Sequence, residues 1–329
     1  MKKRSSRLLG ETEITVPSPG NESVPYTVSA TLNEDNEITF VRSNRNLRNQ
    51  ELKPTEREKD TLKISKVSII GAGTMGLSVA AFLLARGFFV GIKTARPQKY
   101  TEMKEKITSE VSKSKPPEEV REAEHRLSLI SSYKEFKPDL VIECGKEEVQ
   151  VKRALFSEVD FPCILATNTS AIPIKELSKF VPDKAKFIGI HFFNPIDKMR
   201  LVEIIPSDKT SKETVLAARR FCEIIGKTPL IVSDRAGFVA NRIMAAGINE
   251  AANLVEAGEL PEKIDKAAEL GLNYPIGPLK LADSVGLDIV LGIMRELERE
   301  GNFSPAGIIQ KKVSSGKLGK KTKEGFYKY

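Results

Sequence analysis

Lys66-Val67-Ser68-Ile69-Ile70-Gly71-Ala72-Gly73-Thr74-Met75-Gly76-Leu77-Ser78-Val79-Ala80-Ala81-Phe82-Leu83-Leu84-Ala85-Arg86-Gly87-Phe88-Phe89-Val90-Gly91-Ile92 reads as strand, glycine turn, helix and strand in one short unit. Residues 67–70 form the first strand, 75–86 have helical spacing that stops at Gly87, and 88–92 form the second strand. The glycine spacing has a physical meaning. Gly71 permits a tight turn, Gly73 lets a pyrophosphate approach the backbone, and Gly76 lets helix and strand pack closely. Thr74 and Met75 begin the helix, whose first amides favour an anion. These five residues are the first candidates for contact with a dinucleotide.

Outward from this unit the alternation continues. Strands are expected over 139–143, 163–167, 187–193, 201–205 and 229–232, with helices such as 147–159 and 212–225 between several of them. Such a rhythm implies an α/β fold, with a Rossmann-type, largely parallel sheet covered by helices. Beyond about residue 233 the strand signal stops and the chain reads as helical to its end. Residues 1–64 differ again, being polar with turn-forming runs and a weak alternation over 26–32 and 38–41. The expected organisation is therefore an N-terminal extension over 1–64, holding a small hairpin between disordered arms, a dinucleotide-binding domain over 65–232, and an all-helical domain over 233–329.

Composition sets limits. A chain of 329 residues suits two domains by the usual range of about 100–200 residues each. Its 40% hydrophobic and 29% charged residues are ordinary for a folded globular protein. No run approaches the roughly 18 apolar residues a spanning helix needs, so no membrane insertion is expected. Three widely spaced cysteines fit neither a disulfide framework nor a metal cluster, which points to a reducing, cytoplasmic setting and to no metal. The basic start, Lys2-Lys3-Arg4-Ser5-Ser6-Arg7, lacks the apolar core of a secretory signal. Its Arg and Ser content leaves an organellar transit segment as the alternative to a solvated tail. The formal charge of +8 suits an anionic ligand. With no Trp and with basic residues scattered among acids, nothing marks nucleic-acid binding.

The second strand ends without the acid that ordinarily binds the adenosine ribose. Gly91-Ile92-Lys93-Thr94-Ala95-Arg96-Pro97 puts a hydroxyl there with cations beside it. Thr94 can hydrogen-bond a 2′-phosphate and Arg96 can pair with it in a forked geometry, which leans towards NADP(H) over NAD(H). The alternative makes Lys93 and Arg96 plain surface charges. Of the two histidines, His125 lies on a charged helical face, whereas His191 ends an apolar strand and opens into Phe192-Phe193-Asn194-Pro195. Glu203 stands inside the apolar run Leu201-Val202-Glu203-Ile204-Ile205 and needs a partner there.

Taken with Asp139-Leu140-Val141-Ile142-Glu143, Asn168-Thr169-Ser170, Met199, Asp234-Arg235-Ala236-Gly237-Phe238-Val239-Ala240-Asn241-Arg242, Pro275-Ile276-Gly277-Pro278, Leu281-Ala282-Asp283 and Lys317-Leu318-Gly319-Lys320-Lys321-Thr322 with Gly325-Phe326-Tyr327, the sequence from about Ser65 onward resembles the L-3-hydroxyacyl-CoA dehydrogenase family. The resemblance implies interconversion of (S)-3-hydroxyacyl-CoA and 3-ketoacyl-CoA with NAD or NADP. It matches His191 to the catalytic base, Glu203 to its orienting carboxylate, and Ser170 and Asn241 to the groups around the substrate oxygen. Glu143, Asn168 and Asn194 match positions along the cofactor. It also implies a homodimer formed through the helical domain and an acyl-CoA as the partner molecule.

CoA phosphates are expected to meet Lys104, Lys106, Lys113 and Lys115, unless these form an ordinary solvated helix face. Two rivals stand beside the main reading. One is a dehydrogenase of a free hydroxy acid, of the gulonate dehydrogenase and lambda-crystallin branch, and the other is a nucleotide-binding protein without activity.

Overall fold

The computed structural model describes residues 64–301 and 303–329, together with the backbone of three strands in the N-terminal extension. The chain divides into two compact units, Met1–Leu62 and Lys63–Tyr329. In the first, β1 (Arg7–Val16), β2 (Val24–Leu32) and β3 (Ile38–Ser43) form an antiparallel sheet in that order. The hairpin expected over 26–32 and 38–41 corresponds to β2 and β3, and β1 is an addition to it. The arms around it lie outside the described residues.

The second unit begins with β4 (Lys66–Ile70), α1 (Thr74–Leu84) and β5 (Phe89–Lys93). Helices α2 (Tyr100–Ser112) and α3 (Pro117–His125) follow, then β6 (Leu127–Leu129), α4 (Tyr133–Phe136), β7 (Leu140–Glu143), α5 (Val149–Ser157), β8 (Ile164–Thr167) and α6 (Ile174–Leu177). The sheet closes with β9 (Phe187–Phe192), β10 (Leu201–Pro206), α7 (Lys212–Ile224) and β11 (Thr228–Ile231). Its order is β11-β10-β9-β8-β7-β4-β5-β6. From β4 the chain winds one way through β5 and β6, then returns to place β7 on the other side of β4. This reversal creates a crevice at the carboxyl ends of β4 and β7, where such sheets take their ligands. The strand β6 is absent from the sequence reading, since three residues carry too little periodicity to register.

All neighbours are parallel except β9 and β10, which are antiparallel because the loop 193–200 is too short for a crossover. Strands β7, β8 and β9 are buried along their whole lengths, as expected for a sheet covered on both faces. Alternate residues feed different cores. Leu140 and Ile142 join the cluster under α1, α2 and α7, whereas Val141 joins Phe156, Leu165 and Phe187 on the opposite face.

The remainder is helical: α8 (Ala240–Glu256), α9 (Pro261–Gly271), α10 (Pro278–Val285), α11 (Leu287–Arg299) and α12 (Gly307–Ser314). Ala245, Ile248 and Ala252 of α8 pack on Leu287, Val290, Leu291 and Met294 of α11. Two buried aspartates fasten the end of the chain. Asp265 accepts the amides of Leu279 and Lys280 and the Tyr327 hydroxyl, while Asp283 accepts the amides of Phe326 and Tyr327. Asp265→Ala removes the cap of α10 and the partner of a half-buried phenol at once. Urea denaturation should therefore register a loss of about 2–4 kcal/mol. No helix among the described residues is long and apolar enough to cross a membrane.

Candidate active site

The three glycines behave as their spacing implies. Gly71 has φ +99°, and a Cβ there would sit 2.7 Å from the Cys144 carbonyl carbon and from the Gly145 nitrogen. A Cβ on Gly76 would collide with the Gly71 carbonyl oxygen, so β4 and α1 could not approach as they do. Beside Gly73 there is open space within 4 Å. Helix α1 starts without a side-chain cap or an acidic residue in its first turn, which leaves its leading amides to an anion. The cleft in front, about 370 Å³, is lined by Ala72, Gly73, Thr74, Leu77 and Ser78, with Lys106 and Glu110 opposite. This cradle fits a dinucleotide pyrophosphate.

At the carboxyl end of β9, His191 lies directly across from Glu203 of β10 in the antiparallel register. Their side chains therefore leave the sheet on one face. His191 Nδ1 is 2.9 Å from Glu203 Oε2. The other carboxylate oxygen accepts the amides of Val239 and Ala240 at 3.1 and 2.9 Å, where α8 begins. Burial alone would raise the Glu203 carboxyl. The bond from His191, the Ala240 amide, the His191 charge and the Val239 amide outweigh it and hold the group below the ordinary carboxylate range. The His191 ring is buried against Phe193 and Phe238, at centroid distances of 4.4 and 5.7 Å. Phe238 reaches that position with a left-handed backbone, φ +49°, next to Gly237 at +67°.

Asn241, in the first turn of α8, donates Nδ2 to the Ser170 carbonyl at 2.9 Å, so these two expected site residues meet. The loop of Ser170 is held by Glu147, a residue absent from the sequence reading. One oxygen of Glu147 accepts the Thr169 hydroxyl and the amides of Ser170 and Ala171, all between 2.6 and 2.9 Å. Lys152, itself buried, joins Glu147 at 3.3 Å to the buried Glu143 at 2.9 Å. Glu143 is the last residue of β7, beside the end of β4. Fully buried, it takes Lys152 on both oxygens, the Gly145 amide on one and the Thr167 hydroxyl on the other. It braces the ends of β7 and β8. Asn168 accepts the Phe192 amide at 2.8 Å and so ties β8 to the strand of His191. Asn194 is exposed in the loop after β9.

Two family models cover most of the second unit. The NAD-binding domain of 3-hydroxyacyl-CoA dehydrogenase matches residues 66–235, and the C-terminal domain of the same enzymes matches 237–329. The chain belongs to the 3-hydroxyacyl-CoA dehydrogenase family. It resembles a probable 3-hydroxybutyryl-CoA dehydrogenase of Bacillus subtilis, 37% identical over 82% of this chain and 98% of that one. A 3-hydroxybutyryl-CoA dehydrogenase of Clostridioides difficile is also 37% identical, over 80% of this chain and 99% of its own. Among solved structures, the (S)-3-hydroxybutyryl-CoA dehydrogenase of Ralstonia eutropha aligns with a TM-score of 0.75 at 35% identity, covering 81% of this chain and 99% of that one.

As a member of this family the protein is an oxidoreductase that works with a nicotinamide dinucleotide. At the place of the family's ribose-binding acid, Thr94 Oγ1 accepts the Arg96 amide at 3.1 Å and Arg96 is exposed. Lys93 is turned aside, donating to the Ser131 carbonyl at 2.6 Å. The four lysines expected to meet CoA phosphates are each joined to a nearby carboxylate: Lys104 to Glu124, Lys106 to Glu102, Lys113 to Glu110 and Lys115 to Glu119. Two of these pairs, Lys106 with Glu102 and Lys113 with Glu110, have the spacing at which opposite charges meet on a helix surface, and Lys115 lies in the connection just before α3.

Burial would raise Glu147, but Lys152, the Thr169 hydroxyl and the amides of Ala171 and Ser170 hold it low. A depressed carboxylate contributes stability that is complete above its unfolded value of about 4.3 and is lost as pH falls through the lower folded value. Urea midpoints of the wild type should therefore fall steeply below about pH 4. In Glu147→Gln the whole curve should lie lower and its acid limb should be flatter.

Proposed function

We propose that the protein interconverts (S)-3-hydroxyacyl-CoA and 3-ketoacyl-CoA, with a short chain such as 3-hydroxybutyryl as its substrate. The names borne by the relatives support the short chain. Gly71, Gly73, Gly76 and the leading amides of α1 would hold the dinucleotide, whose nicotinamide would supply or take the hydride at C3. With Nδ1 committed to Glu203, His191 offers Nε2 to the C3 oxygen, taking the proton on oxidation and returning it on reduction. Imidazole suits both directions because one ring nitrogen can take or give a proton while the other stays bonded to the carboxylate. Glu203 fixes the tautomer and stabilises the imidazolium, as a triad carboxylate does. Ser170 and Asn241 hold the substrate oxygen as its bonding changes. The observation that carries this reading is the 2.9 Å bond between His191 and a carboxylate whose second oxygen is locked on the α8 amides. Glu203→Gln should lower kcat for 3-hydroxybutyryl-CoA oxidation by about 100-fold or more. A fall of less than threefold would remove Glu203 from the mechanism.

For the cofactor we infer NADP(H). Thr94 and Arg96 offer a 2′-phosphate a hydroxyl and a guanidinium with no acid between them. Thr94→Asp should shift the ratio of kcat/KM for NADPH over NADH towards NADH by about tenfold or more, the effect of one charged contact. An unchanged ratio contradicts the assignment.

The working division we propose is an extension over 1–64, a cofactor domain over 65–232 and a substrate and dimerisation domain over 233–329. The free thiols of Cys144, Cys163 and Cys222 support a cytoplasmic setting. The helical domain, with Ile243, Leu270 and Leu272 exposed, supports a homodimer.

A further inference from the structure

Lys227 stands between α7 and β11 with 7% of its surface exposed. Among the described residues no carboxylate lies within ion-pair distance of its ammonium. A buried charge without such a partner must be held by other means. Here Nζ donates to the carbonyls of Ile196 and, at 2.7 Å, of Met199, and it lies 4.2 Å from the centre of the Phe82 ring. The same ring carries the Arg86 guanidinium at 3.4 Å, and Arg86 in turn donates to the Ile225 carbonyl just before Lys227. Burial and the charge of Arg86 press the Lys227 ammonium below its ordinary range, so the site holds a cation at some cost.

What it holds is the loop 193–200. That loop joins β9, with His191, to β10, with Glu203, and it carries Asn194. Its inner turn is closed by the amides of Lys198 and Met199 on the Pro195 carbonyl, and the Thr228 amide, next to Lys227, bonds the Arg200 carbonyl. We propose that Lys227 is a positioning residue for the reaction assigned above, its ammonium clamping the loop 193–200 so that Asn194 and the strand ends bearing His191 and Glu203 keep one geometry. With its ammonium committed to the Ile196 and Met199 carbonyls, it acts through that loop.

The proposal rests on the dehydrogenase reading for its catalytic arm and stands apart from it for its structural arm. Hydrogen exchange at the Lys198 and Met199 amides reads the clamp in the full-length protein, and steady-state reduction of acetoacetyl-CoA reads its consequence. Lys227→Met should speed exchange at those amides by about tenfold or more and lower kcat by about 10- to 100-fold, the scale of a small misplacement of reacting groups, with a change in thioester KM of about threefold or less. Lys227→Arg keeps donors for both carbonyls and should recover most of each loss. If Lys227→Met does not fold, Lys227→Gln, with a shorter neutral donor, should show the same pattern at smaller amplitude.

Unchanged exchange in a folded variant overturns the clamp. Faster exchange with kcat unaltered overturns the positioning role, as does an equal fall in kcat for the Arg variant. A wild type that turns over no acyl-CoA defeats the reaction proposed above, and the exchange measurement still decides the clamp.

Discussion

His191→Ala should reduce kcat for acetoacetyl-CoA reduction by about 100- to 10,000-fold, the range for loss of a general acid or base, while leaving dinucleotide affinity nearly unchanged. The two readouts separate because the groups are separate. The pyrophosphate cradle is built from Gly71, Gly73, Gly76 and the amides of α1, whereas His191 is fixed by Glu203 on the far side of β7 and β8. Alanine leaves Glu203 with the Val239 and Ala240 amides, so the carboxylate stays paired and α8 keeps its cap. Titration calorimetry with the reduced cofactor checks the binding, and initial rates check the chemistry. A variant with more than a tenth of the wild-type kcat would remove His191 from proton transfer.

Lys152→Met should be the most destabilising single change in the cofactor domain, by about 3–5 kcal/mol. Lys152 is 1% exposed, and it separates Glu143, which is 0% exposed, from Glu147. Burial by itself would lower the ammonium, but the two carboxylates override this and raise it. Removing the cation leaves the Glu143 charge buried with only the Gly145 amide and the Thr167 hydroxyl to hold it, and takes the counter-charge from Glu147, which organises the loop of Ser170. Urea unfolding measures the loss, and the double variant Glu143→Gln with Lys152→Met should recover part of it. A loss below about 1 kcal/mol would mean that water relieves the site and that the triad is not a brace.

The fold was legible where local pattern and chemistry coincide. The strand from Lys66, the glycine turn and the α1 helix declare themselves because each has its own period and the glycines meet a steric demand that no other residue could. The dyad was legible for a related reason, since an acid in an apolar strand needs a partner and His191 closes the neighbouring strand. Contacts that depend on side-chain direction after folding were not. Glu143 and Glu147 lie in a charged stretch, Glu143-Cys144-Gly145-Lys146-Glu147-Glu148, with Lys152 just beyond it, where nothing local says that Glu147 bonds the loop of Ser170 and Glu148 does not. Lys227, in Gly226-Lys227-Thr228-Pro229, has the look of a surface lysine because its partners are backbone carbonyls some 30 residues away. The pairing of Lys106 with Glu102 and of Lys113 with Glu110 was available from spacing alone. Read that way, it assigns these lysines to the helix surface before it assigns them to CoA.

The most direct test of the dehydrogenase reading follows reduced-cofactor absorbance as the purified wild type meets acetoacetyl-CoA and, separately, free acetoacetate. Steady oxidation of the cofactor is expected with the thioester, faster with NADPH than with NADH, and little or none with the free acid. Turnover of the free acid with no response to the thioester would contradict it and place the protein with the hydroxy-acid dehydrogenases, and silence with both substrates would leave a dinucleotide-binding protein without this activity.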